Sequence, residues 1–259
     1  MTAVSTALTS TTRAQEPTGF LNRTLEVEGA SHRYQVYVPA DYTRARRWPV
    51  ILFLHGSGER GSDGILQTSI GLGEGIRRHA ERWPAIVVFP QAPLDHRWHG
   101  RVAHLAIATL ERTVREFSTD LDRVYLVGLS AGGNGVWNLA YRTPERFAAL
   151  VAVCGWVQPT PERRESILPP DSGRPYPVIA RRVRSLPVWI WHGDADSVVP
   201  VEESRQMAQA LRAAGAEVEY TELPGVGHES WVPAFESAEL PRWLLGRSRS
   251  RPPAPAREG

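Results

Sequence analysis

Three short stretches of this chain carry residue types that can do chemistry together. In the first, Gly128-Leu129-Ser130-Ala131-Gly132, a serine sits between two glycines where the β-prone run Val124 to Val127 collides with a helix-like pattern at Val136, Trp137 and Leu139. A serine hydroxyl is a poor nucleophile unless a base takes its proton, and the base needs an orienting carboxylate. A G-x-S-x-G turn at a strand-to-helix junction therefore predicts an acid, then a histidine, further along the chain. The second stretch, "LPVWIWHGDADSVVP", supplies Asp194 and Asp196 just beyond an apolar run. The third, "EYTELPGVGHESW", supplies His228 in a glycine-rich loop.

Each residue has a plainer reading. Ser130 fits an ordinary turn, Asp196 a helix cap, and His228 an exposed loop. Their order Ser130, Asp196, His228, each after a strand end, favours a joint catalytic role. Asp194 directly follows Gly193 and is expected to stabilise the turn. Asp196 has the longer reach toward an imidazole, so it is the expected acid, with Asp194 as the fallback. A tetrahedral oxyanion also needs donors. Ala131 N–H, after the nucleophile, is one. The loop "HGSGERG" after the run "PVILFLHG" offers Ser57 N–H as the second, because glycines at 56, 58 and 61 let backbone approach a ligand. Glu59 and Arg60 form either a polar contact near that loop or an exposed turn. His192, Asp194 and Asp196 also read as H-x-D-x-D, but nothing elsewhere completes a metal cluster, and the pair His96 and His99 is dismissed on the same grounds. No metal and no cofactor is expected.

The elements that must position these residues read as an α/β chain. "RTLEVEG" and "HRYQVYVPA" alternate around Gly29-Ala30-Ser31 and predict an N-terminal antiparallel hairpin. Continuous apolar runs at 49–56, 85–93, 123–127, 148–154 and 187–192 read as strands buried on both faces. Helical periodicity covers 101–118, 133–142 and 201–214, with closing helical turns and a new start expected at Pro241. The alternation predicts a mostly parallel central sheet with helices on both faces, whose reactive groups sit at the carboxyl ends of strands.

Residues 1–19, Ser/Thr-rich and aperiodic, are expected to be disordered, and 247–259 to be a flexible tail, on either side of one domain over 20–246. A net charge of +2 gives no electrostatic case for nucleic acid or an acidic membrane. Local basic runs at 44–47, 181–184 and 247–251 read as solvated surface. The lone Cys154 lies in an apolar run and reads as a buried thiol. No window approaches ~18 apolar residues, and no signal peptide is recognised, so a soluble cytoplasmic protein is the default expectation. The oligomeric state is not legible.

Taken together, "FLHGSGERGSDG", "VVFPQAP", "DRVYLVGLSAGGNGVWNLAYRTPERFAALVAVCG", "LPVWIWHGDADSVVP" and "LPGVGHESW" resemble the α/β-hydrolase superfamily over about residues 25–246. The resemblance is closest to its carboxylesterase and phospholipase-like group, akin to acyl-protein thioesterases, dienelactone hydrolases and polyhydroxybutyrate depolymerase-like esterases. It implies a cofactor-free serine hydrolase with Ser130, Asp196 and His228 as triad and Ser57 and Ala131 as oxyanion donors. Related sequences often carry methionine where this chain has Ala131, a change that leaves the N–H in place. The segment 156–183 is longer than the connection usual in the group, long enough for a small cap.

Of nine tryptophans, Trp98, Trp156 and Trp231 fall in loops expected at the catalytic edge and are expected to wall a substrate pocket. Such a pocket favours small or aromatic acyl esters as the small-molecule substrate. The rival activities are a prolyl oligopeptidase-like peptidase and a thioesterase. A non-catalytic binding module on the same scaffold would require a missing triad member, and none is missing.

Overall fold

A computed structural model describes residues 16–161, 165–169 and 172–249. Eight strands form one sheet in the order β1-β2-β4-β3-β5-β6-β7-β8: β1 Gly19–Val27, β2 Ala30–Val38, β3 Trp48–Leu54, β4 Ile86–Pro90, β5 Thr119–Leu129, β6 Ala149–Val153, β7 Val188–Gly193 and β8 Val218–Leu223. β1 and β2 are antiparallel, β2 is antiparallel to β4, and every later pairing is parallel. This is the α/β-hydrolase arrangement. The hairpin turns at Glu28 and Gly29, both with positive φ (50° and 78°), a residue earlier than the alternation indicated. Two successive left-handed residues match the twist of the flanking strands.

The central strands are apolar throughout because both of their faces are covered. Val50, Leu52 and Leu54 of β3 point into one core with Leu126, Ala152 and Ile190. Their neighbours Ile51 and Phe53 point into the other with Val127, Val151 and Trp191. Helices α2 (Gly100–Glu116), α3 (Ala131–Arg142), α4 (Pro175–Val183) and α5 (Glu202–Ala213) bury apolar residues in the first core. The second is closed by α1 (Leu72–Arg78), α6 (Trp231–Glu236) and α7 (Glu239–Leu245).

Helices α1 and α4 have no counterpart in the expected periodicity, and α6 starts at Trp231, a residue expected in a loop. α1 contains Gly73 and Gly75, poor helix formers, tolerated because a side chain there would collide with the Thr68 backbone or press on Phe235. α7 begins at Glu239, two residues before Pro241, which sits inside its first turn where it costs no helical hydrogen bond. Within the segment 156–183, Val157, Ile167, Leu168, Tyr176 and Ile179 belong to the first core, and α4 forms the crossover between β6 and β7. Residues 162–164 and 170–171 of that segment lie outside the described residues, as do 1–15 and 250–259 of the expected disordered termini. Glu16 is bound by Arg44 at 2.6 Å. Arg249 N–H donates to Asp122 O at 3.0 Å. Among the described residues, no helix is long and apolar enough to cross a membrane.

Candidate active site

β5 ends at Leu129 and α3 starts at Ala131, so Ser130 is the single residue between them. It takes φ 51° and ψ −115°, a region that costs a non-glycine residue about 1–3 kcal/mol. The strain is borne by the serine itself, and both flanking glycines serve close packing. A Cβ on Gly128 would run into Gly132 O, and one on Gly132 would overlap the Leu54 carbonyl. The turn is held from both sides, with Ser130 N–H donating to Val153 O at 2.8 Å and Asn134 N–H to Ser130 O at 3.0 Å.

The structure brings the sequence-chosen serine, histidine and acid together. Ser130 Oγ lies 3.0 Å from His228 Nε2, and His228 Nδ1 lies 2.7 Å from Asp196 Oδ2. The Asp196 side chain is fully buried, whereas that of His228, the middle member, is 18 % exposed. Because a carboxylate only accepts, Nδ1 carries the proton and Nε2 is free to receive one from Ser130. Asp196 Oδ1 takes the N–H groups of Val198 and Val199 at 2.8 and 2.9 Å. Burial alone would push this carboxyl up. Donation from His192, His228, Val199 and Val198 outweighs it and holds Asp196 well below the usual carboxylate range. Asp194 points elsewhere and ties the turn by accepting Gly225 N–H at 2.7 Å.

A second histidine reaches the same acid. His192, fully buried at the end of β7, has Nε2 at 3.1 Å from Asp196 Oδ2 and 3.0 Å from Val199 O. Its Nδ1 lies 2.6 Å from Ser204 Oγ on α5.

The loop after β3 is built around His55, also fully buried. Ala92 N–H donates to His55 Nε2 at 3.0 Å, so Nδ1–H donates to Gly56 O at 2.6 Å. Burial lowers this imidazole to about 4, which keeps it neutral. Gly56 has no room for a side chain, since a Cβ would sit 2.9 Å from Leu129 Cδ1, 3.0 Å from Glu59 Oε2 and 3.6 Å from Ser130 Cβ. That crowding puts the Gly56–Ser57 peptide beside the serine. Glu59 is buried, burial raises its carboxyl, and its Oε2 has no hydrogen-bond partner among the described residues. Arg60 bonds Ser57 O at 2.8 Å instead of pairing with Glu59.

The three loop tryptophans have different places. Trp231 lies edge-on to His228, with ring centroids 5.3 Å apart and planes at 90°. Trp156 packs with Ala131 and Val199. Trp98 is inside the first core, 1 % exposed, with its indole N–H on His55 O at 2.9 Å, so it supports the loop from beneath. His99 donates to Asn134 Oδ1 at 2.7 Å, and Asn134 in turn donates to Trp156 O at 3.0 Å.

Cys154, Asp196 and His228 have ligand atoms within 4.8 Å of one another, a triplet able to face a metal ion. Burial pushes the thiol up to about 12, and Asp196 Oδ2 already receives two ring N–H groups, so these residues do not form a ready metal site. Two surface concavities, one between Pro84 and Pro241 and one beside His32 and Arg101, share no residue with this cluster.

A family model described as phospholipase/carboxylesterase matches residues 101–240. Esterase LipC of Mycobacterium tuberculosis is 28% identical over 218 residues, which cover 70% of this chain and 52% of that protein. Acyl-protein thioesterase 1 of Gibberella zeae is 25% identical over 126 residues, 46% of this chain and 49% of the other. The chain thus spans about half the length of these curated relatives. Among solved structures, a thermostable esterase is 31% identical with a TM-score of 0.74, and the match covers 89% of this chain and 63% of that one.

Proposed function

The chain belongs to the phospholipase/carboxylesterase family, and from that premise we propose that it is a serine esterase cleaving carboxylic esters of small or aromatic acids through an acyl-enzyme. The observation that carries this reading is the continuous hydrogen-bond chain from Ser130 Oγ through His228 to Asp196 Oδ2 at 3.0 and 2.7 Å. His228 Nε2 takes the hydroxyl proton as Ser130 Oγ bonds to the ester carbonyl carbon, and the carbonyl oxygen becomes an oxyanion. His228 then gives that proton to the leaving alcohol as the C–O bond breaks. Water attacks the acyl-enzyme by the same route, passing its proton through His228 to Ser130 and releasing the acid. Asp196 holds the imidazole in the tautomer the cycle needs and stabilises its charged form.

Ser57 and Ala131 N–H are the proposed oxyanion donors. In a trans peptide C=O and N–H point in opposite directions. The bond from His55 to Gly56 O therefore points the Ser57 N–H away from His55, from the opposite edge of that peptide, and Gly56 is the residue crowded against Ser130. Each such donor is worth ~2.7–4 kcal/mol of transition-state stabilisation in other hydrolases. The acyl preference rests on rigid aromatics on two sides, Trp156 against Ala131 and Trp231 on His228.

The test is hydrolysis of p-nitrophenyl acetate, butyrate and palmitate and of an aminoacyl-proline nitroanilide, with fluorophosphonate labelling. Wild type is expected to turn over the short esters and to label. Ser130→Ala is expected to lose about 10⁴-fold or more in kcat and all labelling. Equal rates in the two proteins would overturn the reading, and preference for palmitate would overturn the acyl class.

A further inference from the structure

The proposed mechanism uses one histidine on Asp196, yet two histidines are bonded to the same oxygen. We propose that His192 is a positioning residue: with Ser204 it tethers Asp196 Oδ2 and shares its negative charge, thereby setting the basicity of His228. The proposal rests on the reading of Ser130, His228 and Asp196 as nucleophile, base and acid.

The proton positions follow from the partners. His192 Nε2 faces two oxygens that only accept, Asp196 Oδ2 at 3.1 Å and Val199 O at 3.0 Å, so it carries a hydrogen. The Ser204 hydroxyl, 2.6 Å from Nδ1, is then the donor that fills the remaining lone pair. Ser204 is 3 % exposed on α5, so that choice of tautomer is made by a buried group. With it, all four N–H groups on Asp196 are accounted for: Val198 and Val199 on Oδ1, His228 and His192 on Oδ2. A carboxylate fixed by four donors cannot swing, so the ring it orients cannot swing either.

The sign of the electrostatic effect is also determined. Two N–H groups divide the charge of Oδ2. Removing His192 leaves that charge on His228 alone, which favours the imidazolium form, so the acid limb of the kcat/KM profile moves to higher pH. Other titratable groups around this pair are Glu222 on β8, which is paired with His192 in register and already bound by Arg205 and Tyr220, and the Cys154 thiol at the end of β6. None of these is altered by the substitutions below.

The experiment measures kcat, KM and the pH profile on p-nitrophenyl butyrate for wild type, His192→Leu, His192→Gln, Ser204→Ala and Ser130→Ala, with circular dichroism as the folding check. Proton NMR follows the downfield signal of the His228 Nδ1–H. His192→Leu is expected to lose about 10–100-fold in kcat with KM little changed, to raise the acid limb, and to displace the downfield signal. His192→Gln, whose Nε2 can occupy the place of the imidazole Nε2, is expected to restore the limb and most of kcat. Ser204→Ala should act in the direction of His192→Leu but less. A folded His192→Leu with wild-type kcat and limb overturns the proposal, and so does a Gln variant no better than Leu. If His192→Leu does not fold, Ser204→Ala decides: a wild-type rate and profile overturns the proposal. Ser130→Ala separates the two claims, because its full activity would sink the catalytic reading itself, whereas an inactive Ser130→Ala beside an indifferent His192 sinks only this one.

Discussion

His55 directly follows β3 and His192 is the penultimate residue of β7, each coming after an apolar run and each followed by a glycine. A fully buried imidazole at such a point has to find partners for both ring nitrogens, and both do. For His55 the cost appears in acid. Its pKa falls from 6.5 in a solvated ring to about 4 in the folded protein, because burial disfavours the cation. Above pH 6.5 both states are neutral and folding is unaffected. As pH falls from 6.5 toward 4 the unfolded chain takes up a proton that the folded chain refuses. Stability is therefore lost across that window, by up to ~3 kcal/mol from this ring. His99 is also lowered by burial and adds a loss of the same sign. Urea denaturation at pH 7 and pH 4.5 measures the slope. His55→Gln is expected to flatten it while lowering kcat, because the bond to Gly56 O is weakened. Asp196, held low, contributes its own loss only under more acidic conditions.

At the scale of elements, the Ser130 turn depends on three backbones in contact. Gly132 on α3 presses on the Leu54 carbonyl of β3, and Gly133 would collide with Gly155 if it carried a side chain. Gly132→Ala is expected to lower stability by ~3 kcal/mol or to abolish folding, read as the urea midpoint or soluble yield. The strands and long helices were legible because burial on both faces writes continuous apolar runs and α2 writes a clear 3.6-residue period. α1 and α4 were not, since Gly73, Gly75, Pro175 and Pro177 obscure the period and only tertiary contacts justify them. The choice of Asp196 over Asp194 followed from loop position alone. The second histidine on Asp196 was not legible: "HGDAD" shows His192 and Asp196 four apart, but not that the turn after β7 folds Asp196 back onto the His192 ring. The usable signal was a histidine closing an otherwise apolar strand, found at His55-Gly56 and His192-Gly193 and not at the third "HG" dipeptide, His99-Gly100, which opens α2. Trp98 was misassigned to the pocket wall because the sequence places it in a loop without showing that Gly135 leaves space for its ring beneath that loop.

At the scale of the molecule, the site spans unequal parts of the sheet. Ser130 hangs from β5, which is flanked by β3 and β6 and buried over its second half. His228 hangs from β8, the last strand in the order, paired only with β7 and mostly half-buried. Amide exchange is expected to be slowest in β5 and β3 and markedly faster in β8, because an edge strand opens without breaking the rest. The serine and the histidine, 98 residues apart in sequence, are thus held by regions of different local stability. Fraying of β8 would carry His228, the proposed base, away while the strained serine turn and its glycine contacts stayed intact. On gentle heating, catalysis would then fade before the fold does, and cooling would return it, so that turnover serves as a thermometer for a single border of the sheet.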